Sequence, residues 1–257
     1  MSVTRREIVR VADAEAVSRA AAEEIVRCAR KAVASRGRFI LVLSGGSTPR
    51  RLYGLLAEPP FRKEVDWEHA EVFWGDERAV PPEHRDSNFG MAQSVLLARV
   101  AVPAERVHRI EAERKDLDAA AREYEAEIAR TFAVPPGGEP PPFDLILLGL
   151  GPDGHTASLF PHTEAVRETR RWLVRNYVPK FNADRLTLTV PIINRAATIL
   201  FLVAGVDKAA GLQAVLEGPP EPERFPAQLI RPTSGRLVWL VDEAAASQLA
   251  EKGKILS

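Results

Sequence analysis

FDLILLGLGPDGHTASLF, residues 143–160, joins an apolar run to a polar segment rich in glycine. Its first half, FDLILLGLG, shows no alternation of polar and apolar residues, which is typical of a strand covered on both faces. Its second half, GPDGHTASLF, predicts a turn and then a helix, with His155 in the first helical turn. A strand that feeds a helix in this way is the building unit of an α/β fold.

The same strand–helix unit recurs along the chain. Further strands are predicted at 39–43, 71–74, 172–178, 185–190, 197–205 and 236–241. Helices are predicted at 12–36, 49–56, 88–98, 116–132, 208–216 and 242–250. This alternation predicts a single domain over residues 1–257, with a doubly wound (Rossmann-like), mostly parallel sheet and helices on both of its faces.

Charge, cysteine content and hydropathy exclude several function classes. Thirty-five basic residues balance thirty-five acidic ones, so we expect neither a nucleic-acid partner nor attraction to an anionic membrane. The single cysteine, Cys28, excludes an internal disulfide framework and fits a reducing compartment. Residues 1–17 lack the features of a signal peptide, and the longest apolar run, 199–206, is too short to span a bilayer. We expect a cytoplasmic monomer or small homo-oligomer.

Polar and glycine residues follow four of the predicted strands. The segments are SGGST (44–48), GDER (75–78), GLGPDGH (149–155) and GVDK (205–208). In open parallel sheets, ligands bind outside the carboxyl ends of the strands. The sequence therefore predicts that these four segments converge on one ligand site.

The SGGST segment opens a predicted helix and is typical of an anion cradle. Glycines let backbone N–H groups approach an anion, and a helix N-terminus favours negative charge; the alternative is that they form only a tight turn. The segment is neither a P-loop nor a G-x-G-x-x-G fingerprint, which argues against a nucleotide. Lys208 is the candidate cation to complete a phosphate site, unless it is a solvated lysine in the first turn of its helix.

Charged and titratable groups stand at two of the other strand ends. We interpret Asp76-Glu77-Arg78 as functional, although such a triplet is often a solvated face or a helix cap. His155 is expected at the positive end of a helix dipole, which favours a neutral imidazole able to act as a general base. A capping or packing role is the alternative for His155. The sequence has no H-x-x-x-H pattern and no paired Cys/His spacing, so we expect no metal site.

Four blocks together resemble the 6-phosphogluconolactonase family, whose relatives include glucosamine-6-phosphate deaminase. The blocks are LSGGSTPRRLY (43–53), FWGDERAVPPEHRDSNFGMA (73–92), LLGLGPDGHTASLFPHT (147–163) and AGVDKAAGLQAVLEG (204–218). The resemblance runs from the first helix to the last, with the blocks in the family's order. It implies the fold derived above and hydrolysis of 6-phospho-D-glucono-1,5-lactone in the oxidative pentose phosphate pathway, with no metal or organic cofactor.

The resemblance also implies roles for individual residues. His155 would activate water for attack on the lactone carbonyl. Asp76 and Arg78 would position the substrate or His155 and stabilise the developing oxyanion. The implied ligands of the substrate and its phosphate are Ser44, Gly45, Gly46, Ser47, Gly151 and Lys208. Lys180 and Arg185 are further implied ligands of the substrate or its phosphate. They lie in VPKFNADRLTLT (178–189), which matches a region where the family places Lys-Pro-Pro and Arg, and Phe181-Asn182 departs from that pattern.

Three other functions fit the sequence less well than lactone hydrolysis. The deaminases resemble D-G-H-I-A-F-N-E-P, whose Glu assists opening of the sugar ring, and this chain has Phe160 at that position. The deaminases also usually have Asp-Glu-Tyr at the position where this chain has Asp76-Glu77-Arg78. A non-catalytic sugar-phosphate sensor would need a DNA-binding segment for which the chain has no spare length. A nucleotide-dependent oxidoreductase would need the glycine fingerprint.

Overall fold

The computed structural model describes residues 6–250 and 253–255. The strands are β1 (Arg6–Val11), β2 (Phe39–Leu43), β3 (Ala70–Trp74), β4 (Asp76–Arg78), β5 (Leu145–Gly149), β6 (Leu173–Val178), β7 (Ala183–Leu188), β8 (Thr198–Val203), β9 (Arg236–Asp242) and β10 (Lys254–Ile255). The α-helices are α1 (Ala14–Arg36), α2 (Ser47–Leu56), α3 (Phe61–Glu64), α4 (Asn88–Val95), α5 (Leu117–Phe132), α6 (Val190–Ile193) and α7 (Ala209–Glu217).

Seven strands form one parallel sheet in the order β10-β1-β9-β8-β5-β2-β3. Its register places Phe39 of β2 opposite Ala70 of β3 and Ile146 of β5 opposite Ile199 of β8. Every residue of β2 and β8 is buried, as expected for strands covered on both faces. The prediction of a doubly wound α/β fold built on a mostly parallel sheet is confirmed.

Helix α1 packs against β2, β8 and β9 and supplies part of the core. It begins at the Asp13 cap, whose carboxylate accepts the Ala16 N–H at 2.8 Å, and it ends at Gly37, whose φ of 71° is readily adopted only by glycine. Cys28 lies on the buried face of α1, and burial raises the pKa of its thiol to about 11. Among the described helices, none is both long enough and apolar enough to cross a membrane.

A second, antiparallel sheet of three strands, β4-β7-β6, carries the Asp-Glu-Arg triplet. The triplet was expected to follow a strand, but it forms β4 itself, separated from β3 by Gly75. Gly75 links the two sheets through its backbone: its N–H donates to the Leu43 carbonyl, and its carbonyl accepts the Leu188 N–H. This junction places β4 beside the carboxyl end of β2.

The two ends of the described chain differ from the prediction. Residues 6–11, to which no element was assigned, form β1 beside β9. The helix predicted at 242–250 is wrong: β9 continues through Asp242, and only the short 3₁₀ turn Ala245–Gln248 follows. The Asp242 carboxylate accepts the N–H groups of Gly205 and Ala245, and the backbone is extended again at Leu249. The chain thereby returns to the sheet and adds β10 beside β1.

The helix predicted to begin near His155 is also wrong. Residues 150–163 form a loop, and only the 3₁₀ turn Glu164–Arg167 follows it. Gly154 and Ala157 have positive φ values of 75° and 46°, which a right-handed helix does not accommodate. The Gly151 N–H donates to the His155 carbonyl at 2.9 Å and closes the loop on itself. The environment of His155 is therefore set by side chains rather than by a helix dipole.

Candidate active site

A cavity of about 230 Å³ opens at the carboxyl ends of β2, β5 and β8, beside β4. All four segments predicted to converge contribute to its walls. Of the residues proposed from the sequence, the cavity is lined by Ser44, Gly45, Gly46, Ser47, Asp76, Arg78, Gly151, His155 and Lys208. Lys180 and Arg185 lie on the neighbouring β6–β7 hairpin. Nine of the proposed residues thus meet at the strand ends, where the rule predicts a ligand site.

The SGGST loop is held rigidly below the cavity. The buried Tyr53 hydroxyl donates to the Ser44 carbonyl at 2.7 Å and accepts the Ser44 N–H at 2.9 Å, and burial raises the pKa of Tyr53. Gly46 has φ 111°, a backbone region favourable only to glycine. A Cβ on Gly45 would overlap the Asn88 amide. The loop leads into α2. The N–H groups in the first turn of this helix have no partner within the helix, and such a helix N-terminus favours binding of an anion.

Lys208 approaches the cavity from the turn after β8. Gly205 makes this turn with φ 102°, and its N–H is fixed by the Asp242 carboxylate at 3.0–3.1 Å. The Lys208 ammonium pairs with Asp207 at 3.0 Å, and a quarter of its side chain is exposed. Asp207 itself is largely exposed, so the pair is solvated and an incoming anion can replace the carboxylate at modest cost.

The His155 imidazole is oriented by Asp153, a residue that was not assigned a role from the sequence. Nδ1 of His155 contacts one Asp153 oxygen, and the Lys180 ammonium binds the other at 2.8 Å. Burial opposes ionisation of Asp153, but these hydrogen bonds outweigh it and hold the carboxyl pKa well below its usual range. Because an ionised carboxylate only accepts, Nδ1 carries the proton, and Nε2 of a neutral ring is left as the basic atom.

Two further residues fix the plane of the His155 ring. The Phe160 ring stacks on it with centroids 4.0 Å apart and an interplanar angle of 24°. On Gly151, a Cβ would overlap the imidazole, so the ring lies directly against the backbone there. Gly151 was expected among the ligands of the substrate, and the structure adds this steric reason for glycine at the position.

Asp76 connects β4 to the loop that carries His155. One of its carboxylate oxygens accepts the Ser158 hydroxyl at 2.7 Å, and the other accepts the Asn88 amide at 3.3 Å. Glu77, the middle residue of the triplet, is buried and accepts the backbone N–H groups of Asn88 and Phe89 at 2.8 Å. Burial raises the pKa of Glu77. Glu77 therefore caps α4, one of the roles considered for the triplet, while Asp76 faces the cavity.

Arg78 and Arg185 form a cationic pair across the small sheet, where they are register partners. Arg78 donates to the Asp86 carbonyl at 2.6 Å. Burial, and then the positive charge of Arg78, lower the pKa of Arg185. Within residues 6–250 and 253–255, neither guanidinium lies within ion-pair distance of a carboxylate. Two adjacent guanidinium groups that form no ion pair with a carboxylate favour binding of an anionic group of a ligand.

Potential metal ligands are dispersed over the described residues. In the part of the chain that is described, His, Cys, Asp and Glu side chains do not gather in groups of three or more that could hold a metal ion. His155 is instead committed to Asp153 through Nδ1. The charged groups that line the cavity are suited to binding an anion directly.

Residues 12–239 match the family model described as glucosamine-6-phosphate isomerases/6-phosphogluconolactonase. The chain belongs to this family. A 6-phosphogluconolactonase of Synechocystis sp. is 44% identical over 219 residues, which cover 85% of this chain and 88% of that relative. A probable 6-phosphogluconolactonase of Arabidopsis thaliana is 38% identical over 236 residues, covering 88% of this chain and 87% of the relative.

Solved structures agree with this membership. The 6-phosphogluconolactonase of Trypanosoma cruzi superposes with a TM-score of 0.84 at 29% identity and covers 98% of this chain and 99% of its own. A monomeric glucosamine-6-phosphate deaminase superposes with a TM-score of 0.78 at 22% identity, covering 95% of this chain and all of its own. At that identity, the second likeness shows a shared fold only. Both branches of the family therefore use this architecture.

Proposed function

We propose that the chain is a 6-phosphogluconolactonase that hydrolyses 6-phospho-D-glucono-1,5-lactone with His155 as the general base. The observation that carries the proposal is one cavity that unites an oriented imidazole with the SGGST loop, Lys208 and Arg78. An anion-binding end and a basic atom are what a phosphorylated lactone requires. The relatives from Synechocystis sp. and Arabidopsis thaliana have this activity in their names, and this chain matches most of their length. They support the same assignment.

The proposed reaction begins with a water held by Nε2 of His155. As its oxygen bonds to the lactone carbonyl carbon, the imidazole takes one proton, and Asp153 stabilises the imidazolium through Nδ1–H. The carbonyl electrons move to the oxygen, and Arg78 stabilises the oxyanion. When the ring C–O bond breaks, the departing ring oxygen takes the proton from the imidazolium. The products are a free hydroxyl group and a carboxylic acid, which ionises.

The other cavity residues bind the substrate or support the loops in this proposal. The SGGST loop and Lys208 hold the phosphate, because they combine helix-terminal N–H groups with a cation. Arg185 lies beside Arg78 and contributes positive charge to the same region. Asp76 faces the sugar and, through Ser158, fixes the His155 loop to β4. No metal or cofactor is required, because a lactone is already an activated acyl group.

Phe160 favours hydrolysis over the deaminase reaction. Proton shuttling in a ring-opening isomerisation needs a carboxylate that works with the histidine. Here the side chain that stacks on His155 is an aromatic ring, 5% exposed, and it cannot exchange a proton. Lactone hydrolysis needs one base and charge stabilisation, which this site supplies.

The direct test is hydrolysis of the lactone by the purified protein. We expect lactone to disappear faster than by spontaneous hydrolysis, with product measured by coupling to 6-phosphogluconate dehydrogenase. EDTA should leave the rate unchanged, and glucosamine 6-phosphate should release no ammonia. A rate equal to spontaneous hydrolysis would refute the proposed activity, and release of ammonia would assign the chain to the deaminases.

Lys208→Ala tests the phosphate site. Loss of one charge-assisted hydrogen bond is expected to raise KM for the phosphorylated lactone about tenfold. Some loss of kcat is expected as well, since remote binding energy also positions the reacting group. Unphosphorylated glucono-1,5-lactone is the matched substrate, and its kcat/KM should not change. An equal loss on both substrates would place Lys208 outside a phosphate site.

We further propose that the enzyme works in the cytoplasm as a monomer or small homo-oligomer. The balance of acidic and basic residues leaves no net positive charge that would attract the protein to an anionic membrane. Fractionation of the source cells and light scattering of the purified protein would test the two statements separately.

A further inference from the structure

We propose that the turn between β6 and β7 clamps the His155 imidazole, with Lys180 and Phe181 as positioning residues that act through Asp153 and Phe160. The inference rests on the proposed role of His155 as the base. It assigns Lys180 a role different from the substrate contact suggested by its motif. It also accounts for the Phe181-Asn182 sequence, which departs from the family's Lys-Pro-Pro pattern.

The polar arm of the clamp runs from Lys180 to Nδ1 of His155. The Lys180 ammonium binds Oδ2 of Asp153 at 2.8 Å, and Oδ1 of the same carboxylate contacts Nδ1. Asp153 therefore has one oxygen for each partner, and its rotation is fixed from both sides. Half of the Lys180 side chain is exposed, but its ammonium is directed to Asp153 rather than to the cavity lining.

The aromatic arm reaches the face of the same ring. The Phe181 ring packs edge-on against Phe160 with centroids 5.6 Å apart and an interplanar angle of 82°. Phe160 in turn stacks on His155. Phe181 is 49% exposed, so about half of this large apolar side chain is covered by its neighbours. The guanidinium of Arg185 lies 5.5 Å from its ring centre and covers it further.

The backbone of the turn explains how both arms arise from adjacent residues. Pro179–Phe181 form one 3₁₀ turn, which ends at Asn182 with φ 47° and ψ 44°. Asparagine tolerates this left-handed conformation better than most residues. The Tyr177 hydroxyl donates to the Asn182 side chain at 2.6 Å and stabilises the reversal of the chain between β6 and β7. The turn thus directs Lys180 to Asp153, which contacts the edge of the imidazole, and Phe181 to Phe160, which stacks on its face.

The clamp has a chemical consequence because Lys180 is charged. The ammonium on the far side of Asp153 offsets part of the negative charge that this carboxylate presents to Nδ1 of the imidazole. The other charged side chains that line the same cavity as His155 are Asp76 and Arg78 from β4 and Lys208 from the turn after β8. They remain in place when Lys180 is replaced. Removing Lys180 therefore increases the net negative charge that faces the imidazole.

Lys180→Met and Phe181→Ala test the two arms. We expect Lys180→Met to lower kcat about fivefold with KM within twofold, and to shift the pH profile of kcat/KM because the net charge that faces the imidazole changes. Lys180→Arg should restore most of the rate. Phe181→Ala should lower kcat about threefold, and Phe181→Tyr should restore it because the ring edge is kept.

Arg175→Met is the matched control for charge. Arg175 lies on the same hairpin and pairs with Asp184 at 2.8 Å, so its loss removes a cation from the hairpin without touching Asp153. It should leave kcat and the pH profile unchanged.

Imidazole ¹⁵N spectra give a readout besides activity: wild type should show the Nδ1–H tautomer, and Phe181→Ala should broaden or mix the two nitrogen signals.

The outcomes separate this proposal from the one on which it rests. A raised KM for Lys180→Met, with unchanged kcat and pH profile, would make Lys180 a substrate ligand and overturn the polar arm. Unchanged kcat and ¹⁵N spectra in Phe181→Ala would overturn the aromatic arm. Full activity of His155→Asn would instead refute the base assignment, while the ¹⁵N spectra of the Lys180 and Phe181 variants would still report whether the ring is held.

Discussion

His155→Asn is expected to lower kcat about 10³-fold, toward the rate of spontaneous hydrolysis, with little change in KM. The reason is that Nδ1 is committed to Asp153, so Nε2 is the ring nitrogen of His155 that can take the proton of water. An amide fills similar space but cannot accept that proton. Initial rates on the phosphorylated lactone, corrected for spontaneous hydrolysis, measure the effect.

His162→Asn is the matched control for this substitution. His162 lies seven positions further along the same segment and has φ 61°, a conformation that asparagine accepts. Its replacement should leave kcat unchanged. If His155→Asn kept more than about a tenth of the wild-type kcat, the base would have to be another group.

Asp153→Asn is expected to lower kcat about 10²- to 10³-fold. The amide can still accept a hydrogen bond from Nδ1, so the ring orientation is largely kept. The negative charge that stabilises the imidazolium is lost, and the amide can also favour the wrong tautomer. Because its hydrogen bonds hold the pKa of Asp153 below its usual range, the carboxylate is ionised throughout the neutral range and the loss should persist across it.

Asp184→Asn provides the comparison for Asp153. The two carboxylates have similar side-chain exposure, 24% and 26%, and each pairs with a cation at 2.8 Å, but Asp184 pairs with Arg175 and lies away from His155. Equal losses of kcat in both variants would show that a general loss of stability, and not the contact with Nδ1, is responsible. Thermal unfolding of each variant completes the comparison.

Strand positions and the location of the site were predictable because they follow from local patterns. The unbroken apolar runs at 39–43 and 145–149 are buried strands, and parallel strands bring their carboxyl ends to one edge of a sheet. Glycines at 45, 46 and 205 marked the turns at that edge. Nine of the proposed site residues consequently line one cavity.

The sequence-based predictions that are wrong or missing concern segments whose structure depends on contacts distant in sequence. The loop after β5 resembles a helix start, but Gly154 and Ala157 adopt positive φ and the Asp76–Ser158 bond holds the loop from another sheet. The alternating REIVRV segment of β1 pairs with β9 and β10, which lie at the other end of the sequence. Asp153 could have been assigned from the Asp-Gly-His spacing, since a glycine between the two lets the chain fold back. The contacts of Lys180 and Phe181 depend on a hairpin distant in sequence.

The most direct measurement is a crystal structure of the protein with 6-phosphogluconate, the product of the proposed reaction. We predict that the phosphate binds to the 44–48 loop and Lys208, and that the new carboxylate lies within hydrogen-bond distance of Nε2 of His155 and of Arg78. A product bound in the reverse orientation, or outside the cavity between β2, β5 and β8, would contradict it.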